Sequence, residues 1–558
     1  MFHEEEAISP PAAAERRAVI IGCISAAAFF MLFAIHWAMG DQFQAYRYTA
    51  ADAMYYYVVG MNVVDHGVIG FDQELPSNGF HPLWQILITG FYCVAHLAAD
   101  PAWMLIVISI AAGLLLATGA VYLIVTAVAR ELPRTAFLLP LLPLGVYTIL
   151  AFRFVGVRSL LWSQINGLES ALSLIFFALF LREFLRGGLA RWGACAAWLG
   201  LMILSRLDTV FILPPLVLLL GRDRGLWKPL LRIYVVVSAT ILVYMVTNYL
   251  YCGSPFPVSA GAKSTFPHTQ GQIAECVALL LNGGNGLHTH RAAAMIIPFT
   301  VACLLIPFFA IRIFRGGDST RWAAINLVLL AFVILRHGYD LLFVYYIHVG
   351  EWYYPISQII ITLSSLAVLE RAAAKVNFAP LRGQVLTGAL MGAVLVEGFF
   401  FFRFFERFWR LREPEIKVLS HAKEVRDFYG DTPARFIALD DGLIAFAFGY
   451  PSLAAIGLNL DKESVRALRN GNLLEHALSR GFDRVACFRS LPIDSMTAPL
   501  TPIEERNVRR WMEHYGLNVA THRIEIEYLP EDKSVVIFRI LSGTAEKLTE
   551  QHKRGVEK

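Results

Sequence analysis

Charge is scarce in this chain. Only 16% of its 558 residues are Asp, Glu, Lys or Arg, against 56% hydrophobic, and the formal net charge is +4. A soluble surface carries more charge than that, and so mild a basic excess leaves no footprint for nucleic acid. Paired cysteines are missing too. Cys23, Cys93, Cys195, Cys252, Cys276, Cys303 and Cys487 are scattered with no CxxC pair, which argues against a zinc cage. Cys252 and Cys276 could share one loop, but nothing in the sequence supports a disulfide there. No internal repeat and no low-complexity tract stands out. No small-residue cleavage site follows the first apolar run, so residues 18–39 read as a retained membrane helix.

What the chain has in plenty is long apolar runs. Each recurring run of about 20 residues can cross roughly 30 Å of hydrocarbon. The chain therefore reads as an α-helical polytopic membrane protein. Basic clusters fall at Arg16 and Arg17, Arg130 and Arg134, Arg182 to Arg191, Arg222 to Arg232, Arg312 to Arg321 and Arg371 to Arg382. Placing them all in the cytoplasm satisfies the positive-inside rule. The spans are then 18–39, 101–128, 134–154, 168–186, 192–205, 209–221, 230–250, 291–312, 321–345, 355–371 and 383–402. That is about 11 transmembrane helices, starting inside and ending outside. Residues 82–97, PLWQILITGFYCVAHL, are short for a span and are expected to lie as a juxtamembrane or re-entrant helix in the outer leaflet; the alternative is a real span, with another of the spans miscounted.

Four stretches then share the outer face: 40–81, 155–167, 251–290 and 346–354. The tail joins them there. Its alternation predicts helices at 414–429, 462–480 and 502–516 and strands at 435–440, 483–488, 521–528 and 533–540. This gives residues 1–409 as a membrane domain including the outer loop 40–81, residues 410–545 as an extracytoplasmic α/β domain, and 546–558 as a charged tail. The α/β domain has no GxGxxG or GxxxxGK[ST] motif, which argues against a nucleotide site.

Candidate chemistry gathers on that outer face. In TAADAMYYYVVG, Asp52 precedes Tyr55, Tyr56 and Tyr57. A carboxylate partly desolvated at the membrane boundary gains basicity and suits removal of a proton from a hydroxyl. Equally, Asp52 could cap a helix, with the tyrosines as an aromatic belt or as faces for sugar rings. SNGFHPLW offers a turn at Asn78 and a polar ring at His81. INGLESAL places Glu169 at the start of an apolar span, where the helix dipole favours it whether or not it acts. LSRLDTVF sets Arg206 and Asp208 between two short apolar runs. A charge at membrane depth costs about 2.5–3.5 kcal/mol, which marks a functional candidate, although the two could simply neutralise each other. Lys263 in YCGSPFPVSAGAKSTF could meet a lipid phosphate or snorkel. His348 and Tyr353 lie in YYIHVGEWYYP, which otherwise reads as belt anchoring. Asp52, Asp72 and Glu74 are the acids that could take a divalent cation, but their spacing matches no known cage.

Read in order, these stretches resemble the bacterial GT-C superfamily of membrane glycosyltransferases. TAADAMYYYVVGMNVVDHGVIGFDQELPSNGFHPLW is similar to that group's first outer loop, with Asp-Asp-Ala-x-Tyr-Tyr followed by Asn-Gly-x-His-Pro-Leu-Trp. NGLESAL resembles its Gly-Met-Glu-Thr motif, SRLD its Arg-Pro-Asp/Glu motif, and GSPFPVSAGAK its Gly-x-x-x-Pro…Lys loop. In the tail, residues 438–450 and 455–476 resemble its outer domain, including Gly-Leu-x-Asn. The resemblance implies a polyprenyl-phosphate-linked sugar donor and inverting transfer to a hydroxyl on a glycan, lipid or protein, at the outer face of a bacterial inner membrane. No cofactor is then required. It further implies Asp52 as the base, Arg206 and Lys263 at the leaving phosphate, and Glu169 as a second acid. His81 is implied as a further site residue. Tyr55, Tyr56, Asn78, Asp208, His348 and Tyr353 are the remaining candidates for substrate contact. One departure stands out: residue 51 is alanine where the pattern has a first aspartate. It keeps open a catalytically altered assembly protein with the same fold, beside a lipid-linked-sugar transporter or flippase. The absence of a WWDYG-type tail motif favours transfer of a single sugar.

Overall fold

The computed structural model describes residues 44–132, 160–221, 223–259, 269–282, 287–314, 321–344, 353–375, 416–430, 434–439, 442–455, 460–487, 502–514, 517–530 and 535–541, with isolated positions elsewhere. They divide into two compact units. The first takes in Ser109–Leu242 and Ser264–Arg407, together with the N-terminal segment to Gln44. The second joins Ala45–Ile108, Val243–Lys263 and Phe408–Lys558.

The main helices are α1 (Ala53–His66), α2 (Pro82–Ala95), α3 (Pro101–Val128), α4 (Ser170–Gly187), α5 (Trp192–Ser205), α6 (Trp227–Cys252), α7 (Leu287–Phe314), α8 (Arg321–Phe343) and α9 (Pro355–Lys375). Among the described residues, four helical stretches are long and apolar enough to cross a membrane: Pro101–Val128, Arg224–Cys252, Arg291–Ile313 and Arg321–Phe343. The protein is an integral membrane protein. The expected span 383–402, and most of 18–39 and 134–154, lie outside the described residues.

In the first unit, α8 is wrapped on most sides. Its Ala323, Leu327, Leu330 and Val333 belong to one buried apolar cluster with Phe177 and Leu181 of α4, Leu199 and Met202 of α5, and Ile360 of α9. The expected span 209–221 takes a different form. It is two 3-10 segments, Leu207–Ile212 and Pro214–Gly221. Pro214 and Pro215 supply no N–H, so an α-helix cannot run through them unbroken. The following α6 exposes Leu231, Val235 and Leu242, an apolar surface fitted to lipid.

In the second unit, α1 ends at Gly67. Its left-handed φ of 71° lets the chain turn while its N–H meets the carbonyls of Asn62 and Val63. Pro82 opens α2, where a missing N–H costs nothing. Helix α2 packs along α1. A Cβ on Gly60 would meet Ile88 at 3.0 Å, and the Gln85 amide donates to the Tyr56 carbonyl at 3.1 Å. At 14 residues, α2 is about 21 Å long, short of the roughly 30 Å of a bilayer's hydrocarbon.

The tail adds α10 (416–429), α11 (Leu443–Phe448), α12 (Lys462–Arg469), α13 (Leu473–Ser479) and α14 (Pro502–His514). Its strands β1 (Phe436–Ala438), β2 (Ser452–Ala454), β3 (Arg484–Cys487), β4 (Arg523–Tyr528) and β5 (Val536–Leu541) form one sheet in the order β2-β1-β3-β5-β4. β1 lies parallel to β2 and β3. β5 lies antiparallel to β3 and β4, with Val485 opposite Phe538. The one helix expected at 462–480 is two, because Gly471 has a φ of 72° and interrupts it. α11 and β2 had no clear periodic signal, being only 6 and 3 residues long.

Candidate active site

Glu169 and Arg206 are brought together in the first unit from points 37 residues apart. Glu169 holds the N-cap position of α4, yet its side chain makes no capping bond. Instead its Oε1 accepts from Arg206 Nη1 at 2.7 Å. Arg206 sits where α5 gives way to extended backbone, and its Nε contacts both oxygens of Asp208 at 3.2 Å. The Tyr353 ring covers the guanidinium at 4.7 Å. Four of the expected residues, Glu169, Arg206, Asp208 and Tyr353, thus form one cluster.

A second guanidinium completes it. Arg336 Nη2 lies 2.6 Å from Asp208 Oδ2 and 3.5 Å from Asp340, one turn further along α8. Tyr354 donates its hydroxyl to Asp340 at 2.7 Å, and its ring lies 5.6 Å from Arg336. His337 stacks on Tyr354 at 4.2 Å and pairs Nδ1 with the Met295 carbonyl at 3.0 Å. Sequence reading missed Arg336, His337, Asp340 and Tyr354. The signal was present: two charges four residues apart inside an apolar span.

Two arginines face three carboxylates here. Removing such charges from water is costly unless each is paired, and each of them is. Side-chain exposure is 3% for Arg206 and 3% for Glu169 but 22% for Asp208. Asp208 is therefore the acid open to a visiting group. It lines a narrow cleft with Ser170, Ser173, Arg206, Arg336 and Ser357. The Ser173 hydroxyl is buried there with no partner among the described residues.

The second unit carries Asp52, Tyr55, Tyr56, Asn78 and His81. Asp52 occupies the N-cap position of α1, again without a side-chain capping bond. The tyrosines are core residues, with Tyr55 edge-on to Phe71 at 5.3 Å and Tyr57 against Phe446 at 5.9 Å. The apolar faces expected to meet membrane or sugar are taken up by the protein's own aromatics. Asn78 is committed at both ends of its amide. It donates to the carbonyls of Ser254 and Phe256, and its oxygen accepts from Val258 N–H at 2.9 Å. The His81 N–H donates to the Tyr56 hydroxyl at 3.3 Å. Lys263 and His348 lie outside the described residues.

Asp72 and Glu74, the acids considered for a cation, are engaged by arginines. Arg480 pairs with Asp72, and lies 3.3 Å from Glu74 and 3.0 Å from Asp461; Arg435 also pairs with Glu74. Burial would raise the Glu74 carboxyl, but Arg435 and Arg480 hold it below its ordinary value. Among the described residues, no three His, Cys, Asp or Glu side chains group as metal ligands.

No sequence-family profile and no curated protein matches the chain. Its fold is similar to the crystal structure of ArnT from Cupriavidus metallidurans bound to undecaprenyl phosphate, with a TM-score of 0.51 at 12% identity, over 94% of this chain and 98% of that one. The chain has a fold like that of this ArnT. The apo structure of the same ArnT is also similar, with a TM-score of 0.45 at 14% identity over 87% and 92% of the two chains. The likeness runs over both the apolar helices and the small mixed sheet of the tail.

Proposed function

We propose that this protein is an inverting glycosyltransferase that moves a sugar from a polyprenyl-phosphate donor to an acceptor hydroxyl at the outer face of a bacterial inner membrane. The observation that carries this reading is the buried Arg206–Asp208–Arg336 cluster between apolar helices, on a fold whose solved counterpart holds undecaprenyl phosphate. Nothing but a polar ligand or a structural need repays placing five ionisable groups at that depth.

In the proposed reaction Asp52 takes the proton of the acceptor hydroxyl. The freed oxygen attacks the sugar C1 from the face opposite the phosphate. The C1–O bond to phosphate breaks with its electron pair leaving on the polyprenyl phosphate. Arg206 and Lys263 are the proposed partners of that phosphate, and Arg336 joins them as the second cation of the cluster. Glu169 then acts by fixing Arg206. Asp208, held between two arginines and partly open, accepts from substrate hydroxyls.

The test is release of polyprenyl phosphate from radiolabelled polyprenyl-phosphate sugars by protein in nanodiscs, with envelope extract as acceptor. Wild type should release it, and Asp52→Asn should lose about 10²–10⁴-fold in rate. Equal release by both would remove Asp52 as base. Ala51 favours a second reading, a GT-C-fold assembly protein without turnover. That reading requires donor binding with no release from any donor.

A further inference from the structure

The carboxyl-terminal domain meets the Asp52 loop through a specific set of bonds within the second unit. Arg480, at the end of α13, reaches Asp72, Glu74 and Asp461 together. It is largely buried, with 14% of its side chain exposed, and Asp72 has 8%. The carboxylates raise its hold on the proton further, although burial opposes them. Asp72 is fully used: its other oxygen accepts from the N–H groups of Glu74 and Leu75 at 3.0 and 2.8 Å. Ser77 adds a bond to the Leu460 carbonyl at 3.3 Å, and Gln73 one to Gly449 at 3.4 Å.

That loop is in turn locked to α1. Asn62 donates to the carbonyls of Gly70 and Phe71 at 2.8 and 3.1 Å. Phe71, the neighbour of Asp72, lies against the Tyr55 ring, one turn of helix from Asp52. The domain also touches Tyr55 directly. A Cβ on Gly442 would lie 3.0 Å from the Tyr55 ring and 3.2 Å from its backbone nitrogen. A continuous path therefore runs from Arg480 through Asp72 and Phe71 to Tyr55 and the first turn of α1.

We propose that Arg480 is a positioning residue for Asp52, through which the carboxyl-terminal domain sets the depth and angle of the candidate base. This rests on the glycosyl-transfer reading. The domain then acts as a clamp on the reaction centre and need not touch the substrate. A misplacement of about 1 Å costs about 10²-fold in rate, so the effect belongs in kcat and not in donor KM. Lysine can keep the charge but cannot fork across three carboxylates.

The experiment uses the full chain in nanodiscs, with radiolabelled polyprenyl-phosphate sugar and envelope extract as acceptor. Arg480→Met should lower kcat about 10²-fold, with donor KM within about twofold, and Arg480→Lys should recover part of the loss. Amide exchange over residues 53–60 should quicken in Arg480→Met. It should stay unchanged in Arg523→Met, whose arginine pairs only with nearby Glu525 among the ion pairs described on β4. Unchanged kcat in Arg480→Met, or an equal loss in Arg523→Met, would overturn the assignment. Should wild type release nothing from any donor, the glycosyl-transfer reading fails. Exchange at 53–60 then decides separately: faster exchange in Arg480→Met upholds the clamp, and unchanged exchange removes it.

Discussion

Arg206 shows how a residue proposed for function is held by its neighbours first. Glu169 and Asp208 grip it from two sides, and Tyr353 covers its face. Arg206→Met should strand the buried Glu169 carboxylate and cost about 3–5 kcal/mol, read as a lowered unfolding midpoint in detergent. Glu169→Gln, which keeps the volume and a hydrogen bond, should cost less. Gly442 has a left-handed φ of 92° beside the Tyr55 backbone. Gly442→Ala should therefore cost about 1–3 kcal/mol in the same measurement, from strain alone. His421 is a contrasting case, on the surface of the tail domain. It meets Glu424 at 2.7 Å and Asp532 at 3.1 Å. Burial opposes its charge, but the two carboxylates hold its pKa above the ordinary 6.5. Its contribution is complete below about pH 6.5 and fades as pH rises through the raised value. Glu424 is held below its ordinary 4.5, first by His421 and then by the Tyr528 hydroxyl. Its contribution is present above 4.5 and is lost as pH falls through the lowered value. Unfolding temperature should thus drop between about pH 5.5 and 8.5 by more in wild type than in His421→Gln.

At the scale of elements, helix ends carry much of the organisation. Asp52 and Glu169 both sit at N-cap positions, and neither side chain caps. Asp461, by contrast, does cap α12. Its carboxylate accepts from the N–H groups of Glu463 and Ser464, both at 2.9 Å, while it also meets Arg480. Asp461→Ala should cost about 0.5–2 kcal/mol from the lost cap, seen as faster amide exchange in 462–469. The same change should also loosen Arg480, so exchange at residues 70–77 should quicken with it. Sequence alone placed most of the tail elements, because their hydrophobic alternation is strong. It ran 462–480 as one helix because Asn470, Gly471 and Asn472 interrupt a pattern that continues on both sides. It missed α11 and β2 because three to six residues carry too little periodicity to be told from a loop.

At the scale of the molecule, apolar helices and a charged α/β domain share one chain. By the positive-inside count, that domain and the loop 40–81 are expected on the outer side. A phosphatase reporter at the C-terminus should be active and a cytoplasm-dependent fluorescent reporter dark. The reverse result would overturn the count. Reporters placed before 101 and after 128 should give opposite signals, as they must if Pro101–Val128 crosses the bilayer.

The membrane class, the order of motifs and the alternation of the tail are local properties, written in runs of a few to about 20 residues. They were legible in sequence, as were Asp52, Glu169, Arg206 and Asp208 as candidates, because a lone charge beside apolar residues is visible without partners. The partners were not. Arg336 and Asp340 lay inside a run that reads simply as a span, and only folding brings Arg336 to Asp208. Arg480 lies 408 residues from Asp72, and no local pattern links them. The tyrosines read as an aromatic belt or as faces for sugar rings, yet all three are buried, Tyr55 against Phe71 and Tyr57 against Phe446. Composition fixes how much apolar surface must be hidden from water. Which side chains hide it, and which charges meet there, depends on contacts between distant segments that only the tertiary structure makes.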